Sequence, residues 1–150
     1  MKETDTTTSV FALGGLGEVG KNMYVIEHGK EIIIIDAGVM IPEDDLLGID
    51  YVIQDVTYLK QNEDKIKALR ITHGHEDHIG GITFLLQNVN IPKIYASQIA
   101  SDLIRKKLDD KNMKYDNLEV YNKDTVIKFK NLSVEFITTT HSIPDSFAIV

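Results

Sequence analysis

The sequence contains no cysteine, which removes a disulfide framework and the thiolate-rich structural zinc modules together; any zinc held here must be held by nitrogen and oxygen. No stretch approaches the ~20 consecutive apolar residues of a membrane span, and the polar, threonine-rich start lacks the apolar core of a secretory signal. A cytoplasmic chain with no membrane partner is the expectation. Surplus positive charge is missing too. The formal net charge of −7 argues mildly against gripping nucleic acid by bulk charge, because phosphate contacts draw on Lys and Arg, although a bound metal pair would invert that field locally. No internal repeat or low-complexity segment stands out beyond the first threonines. What remains is 150 residues, 43% of them hydrophobic, enough to bury a core and to form one domain or most of one.

Only five histidines are present, and three of them fall in Thr72-His73-Gly74-His75-Glu76-Asp77-His78. Packing gives no reason to crowd imidazoles together, whereas neutral imidazole and carboxylate are ordinary ligands of zinc and similar divalent ions. Residues 67–72 read as a strand leading into this run. The residues after His78 carry Ile82, Leu85 and Leu86 on one helical face, so the cluster sits between a strand end and a helix start. His73 and His75, two apart on an extended segment, can point the same way toward one metal. Asp77 and His78, at the head of the helix, diverge from that pair and suit a second metal, with Asp77 at the favourable end of the helix dipole. His141 follows another strand and stands at its end. Three protein ligands with an open fourth position are the catalytic zinc pattern, which makes His141 a candidate third ligand beside His73 and His75. His28, next to Gly29, is expected to be an exposed turn residue.

Elsewhere, residues 9–13 read as a strand, followed by a loop holding Gly14, Gly15, Gly17 and Gly20. Gly15, Gly17 and Gly20 fit G-x-G-x-x-G, but that motif must open a helix. Here residues 22–27 form a β-type run, His28-Gly29-Lys30 a turn and residues 31–36 another strand, which is a hairpin. The glycines are expected to let the loop pass close to a ligand or to other backbone. Asp36, at the end of an apolar strand, either caps the next turn or orients a metal ligand or its water. Pro42-Glu43-Asp44-Asp45 reads as a solvated loop and residues 56–61 as a helical turn. Residues 92–96 form a strand. Ser97 is expected to cap a helix over 98–108 with Ile99, Leu103 and Ile104 inward and Arg105, Lys106 and Lys107 solvated at its end. Strands are expected at 118–121, 125–129 and 132–138.

The run His73-Gly74-His75-Glu76-Asp77-His78 resembles the H-x-H-x-D-H signature of the metallo-β-lactamase superfamily. More narrowly, a set of segments in order from Val10 on resembles the bacterial ribonuclease J family. These are Gly14-Gly15-Leu16-Gly17-Glu18-Val19-Gly20-Lys21-Asn22-Met23, Asp36-Ala37-Gly38, Pro42-Glu43-Asp44, the histidine run continued through Ile79-Gly80-Gly81, and His141-Ser142-Ile143-Pro144-Asp145-Ser146. The six-residue metal run is specific to the superfamily only; the glycine loop and the His141 segment narrow it. The resemblance implies an α+β fold, the N-terminal portion of an αββα sandwich over residues 9–150 behind a disordered tail at 1–8. β-CASP and C-terminal domains would lie outside the chain.

The resemblance also implies two zinc ions, with manganese or another divalent ion as alternatives. His73, His75 and His141 would hold one; Asp77 and His78 would begin the site of the second; Asp36 would orient the site, with Asp36 and Asp77 serving catalysis. The activity implied is cleavage of single-stranded RNA, internally and from the 5′ end, in RNA maturation and decay. Metal-activated hydroxide would attack the phosphodiester and leave 5′-phosphate products. A bridging aspartate and a further histidine are expected beyond residue 150, since no histidine follows His141, and so are the contacts that would make a homo-oligomer. The 150 residues alone are expected to hold at most one ion and to cleave RNA poorly. The competing readings are another hydrolase on the same scaffold, such as a thioesterase, lactonase or β-lactamase, and a non-catalytic RNA- or protein-binding domain.

Overall fold

A computed structural model describes residues 7–42 and 47–150; most of the tail expected at 1–8, and Glu43, Asp44 and Asp45 of the expected solvated loop, fall outside them. The hairpin expected from the glycine loop onward is β2 (Met23–His28) with β3 (Glu31–Ile35), and β1 (Thr8–Gly14), before that loop, pairs antiparallel with β2. From β3 the sheet turns parallel, through β4 (Ile66–Arg70), β5 (Ile94–Ala96) and β6 (Leu118–Val120), in the order β1-β2-β3-β4-β5-β6. Parallel neighbours need crossovers. Helix α1 (Thr57–Gln61) lies in the first; α2 (Glu76–Ile79) and α3 (Ile82–Asn88) form the second; α4 (Gln98–Asp110) forms the third.

Strand β3 is Glu-Ile-Ile-Ile-Ile, without the alternation of a half-exposed strand, because both of its faces are covered. Ile32 and Ile34 belong to the larger core, with Leu69, Ile94, Ile79 and Ile82 and with Ala100, Ile104 and Leu108 of α4. Ile33 faces the other way, with Ala68, Tyr95 and Tyr121, onto Val134 and Phe136. Those two residues come from a second sheet of β7 (Val126–Lys128), β8 (Ser133–Thr138) and β9 (Phe147–Ile149), all antiparallel. The layers are therefore helices, six-stranded sheet and three-stranded sheet. The outer face of the small sheet, with Ser133, Glu135 and Ile137, is exposed among the described residues.

The two sheets are joined by polar contacts as well as by apolar area. Glu31 is buried on β3, and its carboxylate accepts from the backbone N–H groups of Lys130 (3.0 Å) and Asn131 (2.7 Å), which pins the β7–β8 turn to the large sheet. Tyr121 stacks on Phe136 with ring centroids 3.6 Å apart, and its hydroxyl donates to the Ile71 carbonyl at 2.5 Å.

Some expectations are corrected. The helix after His78 is broken at Gly80 and Gly81 into α2 and α3. Helix α4 buries Ala100, Ser101, Ile104 and Leu108, while Leu103 is 37% exposed and Ile99 half-buried. Helix α4 passes close to the metal loop: a Cβ on Gly74 would lie 2.7 Å from Leu103 Cδ1 and 3.6 Å from the Ala100 Cα, so the Leu103 side chain lies over Gly74 at the surface while Ala100 is buried beside it. Ser97 stands at the N-cap, but its hydroxyl caps nothing and is buried without a partner among the described residues. His28 ends β2 half-buried, with Nδ1 2.7 Å from the Thr8 hydroxyl, rather than standing free in a turn. Strand β9 has no counterpart among the strands expected from the sequence.

Candidate metal centre

Strands β3 and β4 run parallel, so Asp36 and Thr72 leave the sheet side by side at its carboxyl edge, the edge at which open α/β sheets place their ligands. The Asp36 backbone N–H donates to the Arg70 carbonyl at 2.8 Å, and Asp36 itself takes a left-handed φ of 63°. That conformation suits a short polar side chain that bonds locally. The carboxylate is buried, yet fully engaged: Oδ1 accepts from the Thr72 N–H (2.8 Å), and Oδ2 from the Thr72 hydroxyl (2.8 Å) and from Nδ1 of His78 (2.6 Å). Of the two roles left open for Asp36, the geometry is that of a group orienting a histidine.

Beyond Thr72 the chain delivers His73 into the centre of the cluster. Its ring centroid lies 4.8 Å from that of His75, 4.0 Å from His78 and 4.5 Å from His141. One ring nitrogen each from His73, His75 and His141 falls within a 4.8 Å set, and Nε2 of His73 and Nε2 of His141 are 3.1 Å apart. His141 arrives from the far end of the second sheet. Its loop is closed by the Thr139 N–H on the Ser146 carbonyl (2.9 Å), and the sheet is tied to the metal strand by the Phe147 N–H on the Thr72 carbonyl (3.0 Å).

Asp77 and His78 sit on α2, too short a helix to satisfy its own carbonyls. Neighbouring backbone does so: the carbonyls of Asp77 and His78 accept from Asn22 and Ala37 at 3.0 and 2.8 Å, and that of Glu76, which already accepts the Gly80 N–H at 2.7 Å, also accepts from Val39 at 3.2 Å. The Asn22 carboxamide adds contacts to the Asp77 carboxylate (3.1 Å) and to Nε2 of His78 (3.3 Å), which itself lies 3.4 Å from that carboxylate. Thus His73, His75 and His141 form one group, and Asp77 with His78 a second beside it. Glu76 points away to a bidentate contact with Lys107 at 2.6 and 2.8 Å. Sequence reasoning passed over Thr72 and Asn22, whose only signal is position: one directly precedes the histidine run, and the other closes the glycine loop.

The donor set fits a divalent ion. Imidazoles whose nitrogens face one another have nothing to gain from protonation, since each added charge meets another. Burial first, and then His78, His141 and His75, push the His73 pKa down to about 4. It stays neutral, with a lone pair to offer. Burial also works against protonating His78, but its hydrogen bond to Asp36 and the field of Asp36 and Asp77 outweigh this and raise its pKa. For His73 the unfolded chain binds a proton below its usual 6.5 while the folded chain does so only near 4, so its contribution to stability falls as pH falls through that window. His78 contributes with the opposite sign. The metal-free chain is expected to melt at lower temperature at pH 4.5 than at pH 7, by an amount worth at most roughly 3 kcal/mol; an unchanged or higher melting temperature in chelator-treated samples would contradict the assignment.

The family model described as the Metallo-beta-lactamase superfamily matches residues 16–150. The chain is 59% identical over 143 residues to Ribonuclease J 1 of Streptococcus pyogenes, a match covering 94% of this chain and 25% of that protein. It is 50% identical over 145 residues to Ribonuclease J of Mycoplasma pneumoniae, covering 96% of this chain and 26% of that one. The chain therefore spans about a quarter of the length of these curated relatives. Among solved structures it resembles the metallo-β-lactamase SMB-1 bound to 2-mercaptoethanesulfonate. The TM-score is 0.63 at 15% identity over 99% of this chain and 60% of that one, a likeness of fold.

Proposed function

The chain belongs to the metallo-β-lactamase superfamily, and on that premise we propose that it is the metal-binding N-terminal part of a ribonuclease that cleaves single-stranded RNA. The cleavage is internal and from the 5′ end, it serves RNA maturation and decay, and it takes place in the cytoplasm. The observation that carries this reading is the meeting of His141 with His73 and His75, in a chain at least half identical to two proteins named ribonuclease J.

In this reading His73, His75 and His141 hold one zinc or manganese ion, and Asp77 and His78 begin the site of a second. Bound there, divalent ions supply Lewis-acid stabilisation of phosphate charge and an activated water. The chain's own part is to present neutral imidazoles, to hold His78 through Asp36, and to keep Asp77 at the mouth of the site, where its side chain is 40% exposed. With a net charge of −7, the attraction of RNA to this face depends on the ions. Oligomerisation runs through segments outside residues 1–150.

The test is metal content per chain, by elemental analysis after gentle dialysis, for the parent and for His73→Ala combined with His75→Ala. Metal in the parent and none in the variant supports the reading, and absence from both defeats it. Because the remaining ligands of the second ion are placed outside residues 1–150, this chain alone is expected to turn over RNA poorly. Robust cleavage by the purified chain would contradict that placement, and hydrolysis of a thioester, lactone or β-lactam in place of RNA would contradict the substrate class.

A further inference from the structure

We propose that Thr72 is a positioning residue that fixes which nitrogen of His73 is offered to the metal, by relaying the hydrogen-bond polarity of Asp36 through its hydroxyl. The proposal rests on the reading of His73 as a metal ligand.

The polarity follows from counting protons. The Asp36 carboxylate can only accept. Its Oδ2 lies 2.8 Å from the Thr72 hydroxyl oxygen, and that hydroxyl lies 2.9 Å from Nδ1 of His73. Thr72 has one hydroxyl proton and three neighbours, but Nδ1 of His78, at 3.5 Å, carries the proton it gives to Asp36 and cannot accept, which leaves two that could take it. If the proton went to His73, the hydroxyl oxygen and the carboxylate would face each other, buried, with no hydrogen between them, which is strongly unfavourable. The proton therefore lies on the Asp36 side, and the hydroxyl lone pairs turn to His73, whose Nδ1 must supply an N–H. His73 is left with a bare Nε2, the atom that faces His141.

The same Oδ2 receives the Nδ1–H of His78 directly at 2.6 Å, so His78 likewise offers Nε2. One carboxylate thus sets the tautomer of a histidine in each of the two groups, the nearer one directly and the other through Thr72. The backbone supports the arrangement: the Thr72 N–H is held by Oδ1 and its carbonyl by Phe147, which fixes the main chain from which the hydroxyl projects toward Asp36 and His73. Among the described residues no hydrogen bond is formed by the side chain of His75, so that residue is an internal control.

The experiment uses the chain labelled with nitrogen-15 in histidine, metal-free and at neutral pH, with long-range proton–nitrogen correlations reading each ring. His73 is expected as the Nδ1–H tautomer in the parent and in Thr72→Ser. In the isosteric Thr72→Val the Nδ1–H loses its acceptor and the proton moves to Nε2, where His141 can accept it; the His75 pattern stays unchanged and shows that the fold is retained. Zinc affinity should fall roughly 10–100-fold in Thr72→Val and recover in Thr72→Ser. A Thr72→Val chain that keeps the Nδ1–H tautomer and the parent's affinity overturns the relay. A parent chain that takes up no zinc overturns the reading of His73 as a ligand, and that failure is told apart because the tautomer is read without metal.

Discussion

Gly38→Ala is expected to destabilise the chain by roughly 3 kcal/mol or more and to dislodge the turn that carries Asp77 and His78. A Cβ at this position would lie 1.7 Å from the Asp77 carbonyl oxygen, 2.2 Å from its carbon and 2.9 Å from the Asn22 nitrogen. All three atoms are backbone, so no side chain can rotate out of the way. Relief requires parting segments that are bonded to each other: Gly38 N–H to the Asn22 carbonyl (3.0 Å), Asn22 N–H to the Asp77 carbonyl (3.0 Å), and the flanking bonds from Ala37 and Val39 onto α2. Each such bond contributes about 1 kcal/mol, and together they satisfy the carbonyls that α2 is too short to satisfy itself. Gly17→Ala separates this from a generic glycine effect. Gly17 has a left-handed φ of 70° but nothing within 4 Å of a built Cβ, so only conformational strain of about 1 kcal/mol is expected. Urea denaturation of both variants checks this, and equal losses would mean that residues 37–39 do not clamp α2.

The contrast marks what can be read from the sequence. Gly14, Gly15, Gly17 and Gly20 advertise a close approach, and the hairpin context correctly rejects a dinucleotide loop, but the sequence does not say what is approached. Gly38 resembles any glycine after a strand until Asp77 is seen packed on it. The histidine run is legible because neither packing nor solubility concentrates imidazoles in this way, and His141 because it shares with them a place at a strand end. Thr72 and Asn22 are not legible: threonine before a loop and asparagine after glycines are common, and their roles exist only where β3, β4 and α2 meet. The inward face of α4 is misread for a related reason. Choosing it by size favours Ile99 and Leu103, whereas the helix buries Ala100 and leaves the Leu103 side chain lying over Gly74 at the surface. Strand β9 is three residues long and takes its stability from pairing with β8 and from the long-range contact of Phe147 with Tyr121.

Arg70→Met is expected to stabilise the chain by about 1–3 kcal/mol without changing metal retention. Arg70 shares a face of β4 with Ala68 and lies between the sheets, fully buried, and none of its three side-chain nitrogens has a hydrogen-bond partner among the described residues. Burial pushes its pKa down to about 10, so it remains a cation at neutral pH, and a buried, unpaired cation carries a desolvation cost of several kcal/mol. The guanidinium lies 3.9 Å from the Tyr95 ring centroid, 5.2 Å from that of Phe129 and 5.9 Å from that of Phe136. Such contacts return about 2 kcal/mol when desolvated, less than the cost. Methionine keeps the unbranched stem and the aromatic contacts through sulfur and removes the charge. The backbone bond from Asp36 to the Arg70 carbonyl does not depend on the side chain, so Thr72 and His73 should leave the sheet as before. A higher urea midpoint with an unchanged slope is the expected result. A loss of 1 kcal/mol or more would mean that the guanidinium is hydrogen-bonded in solution, and a loss of metal with a gain in stability would mean that the charge in β4 helps to hold the strand end where His73 begins.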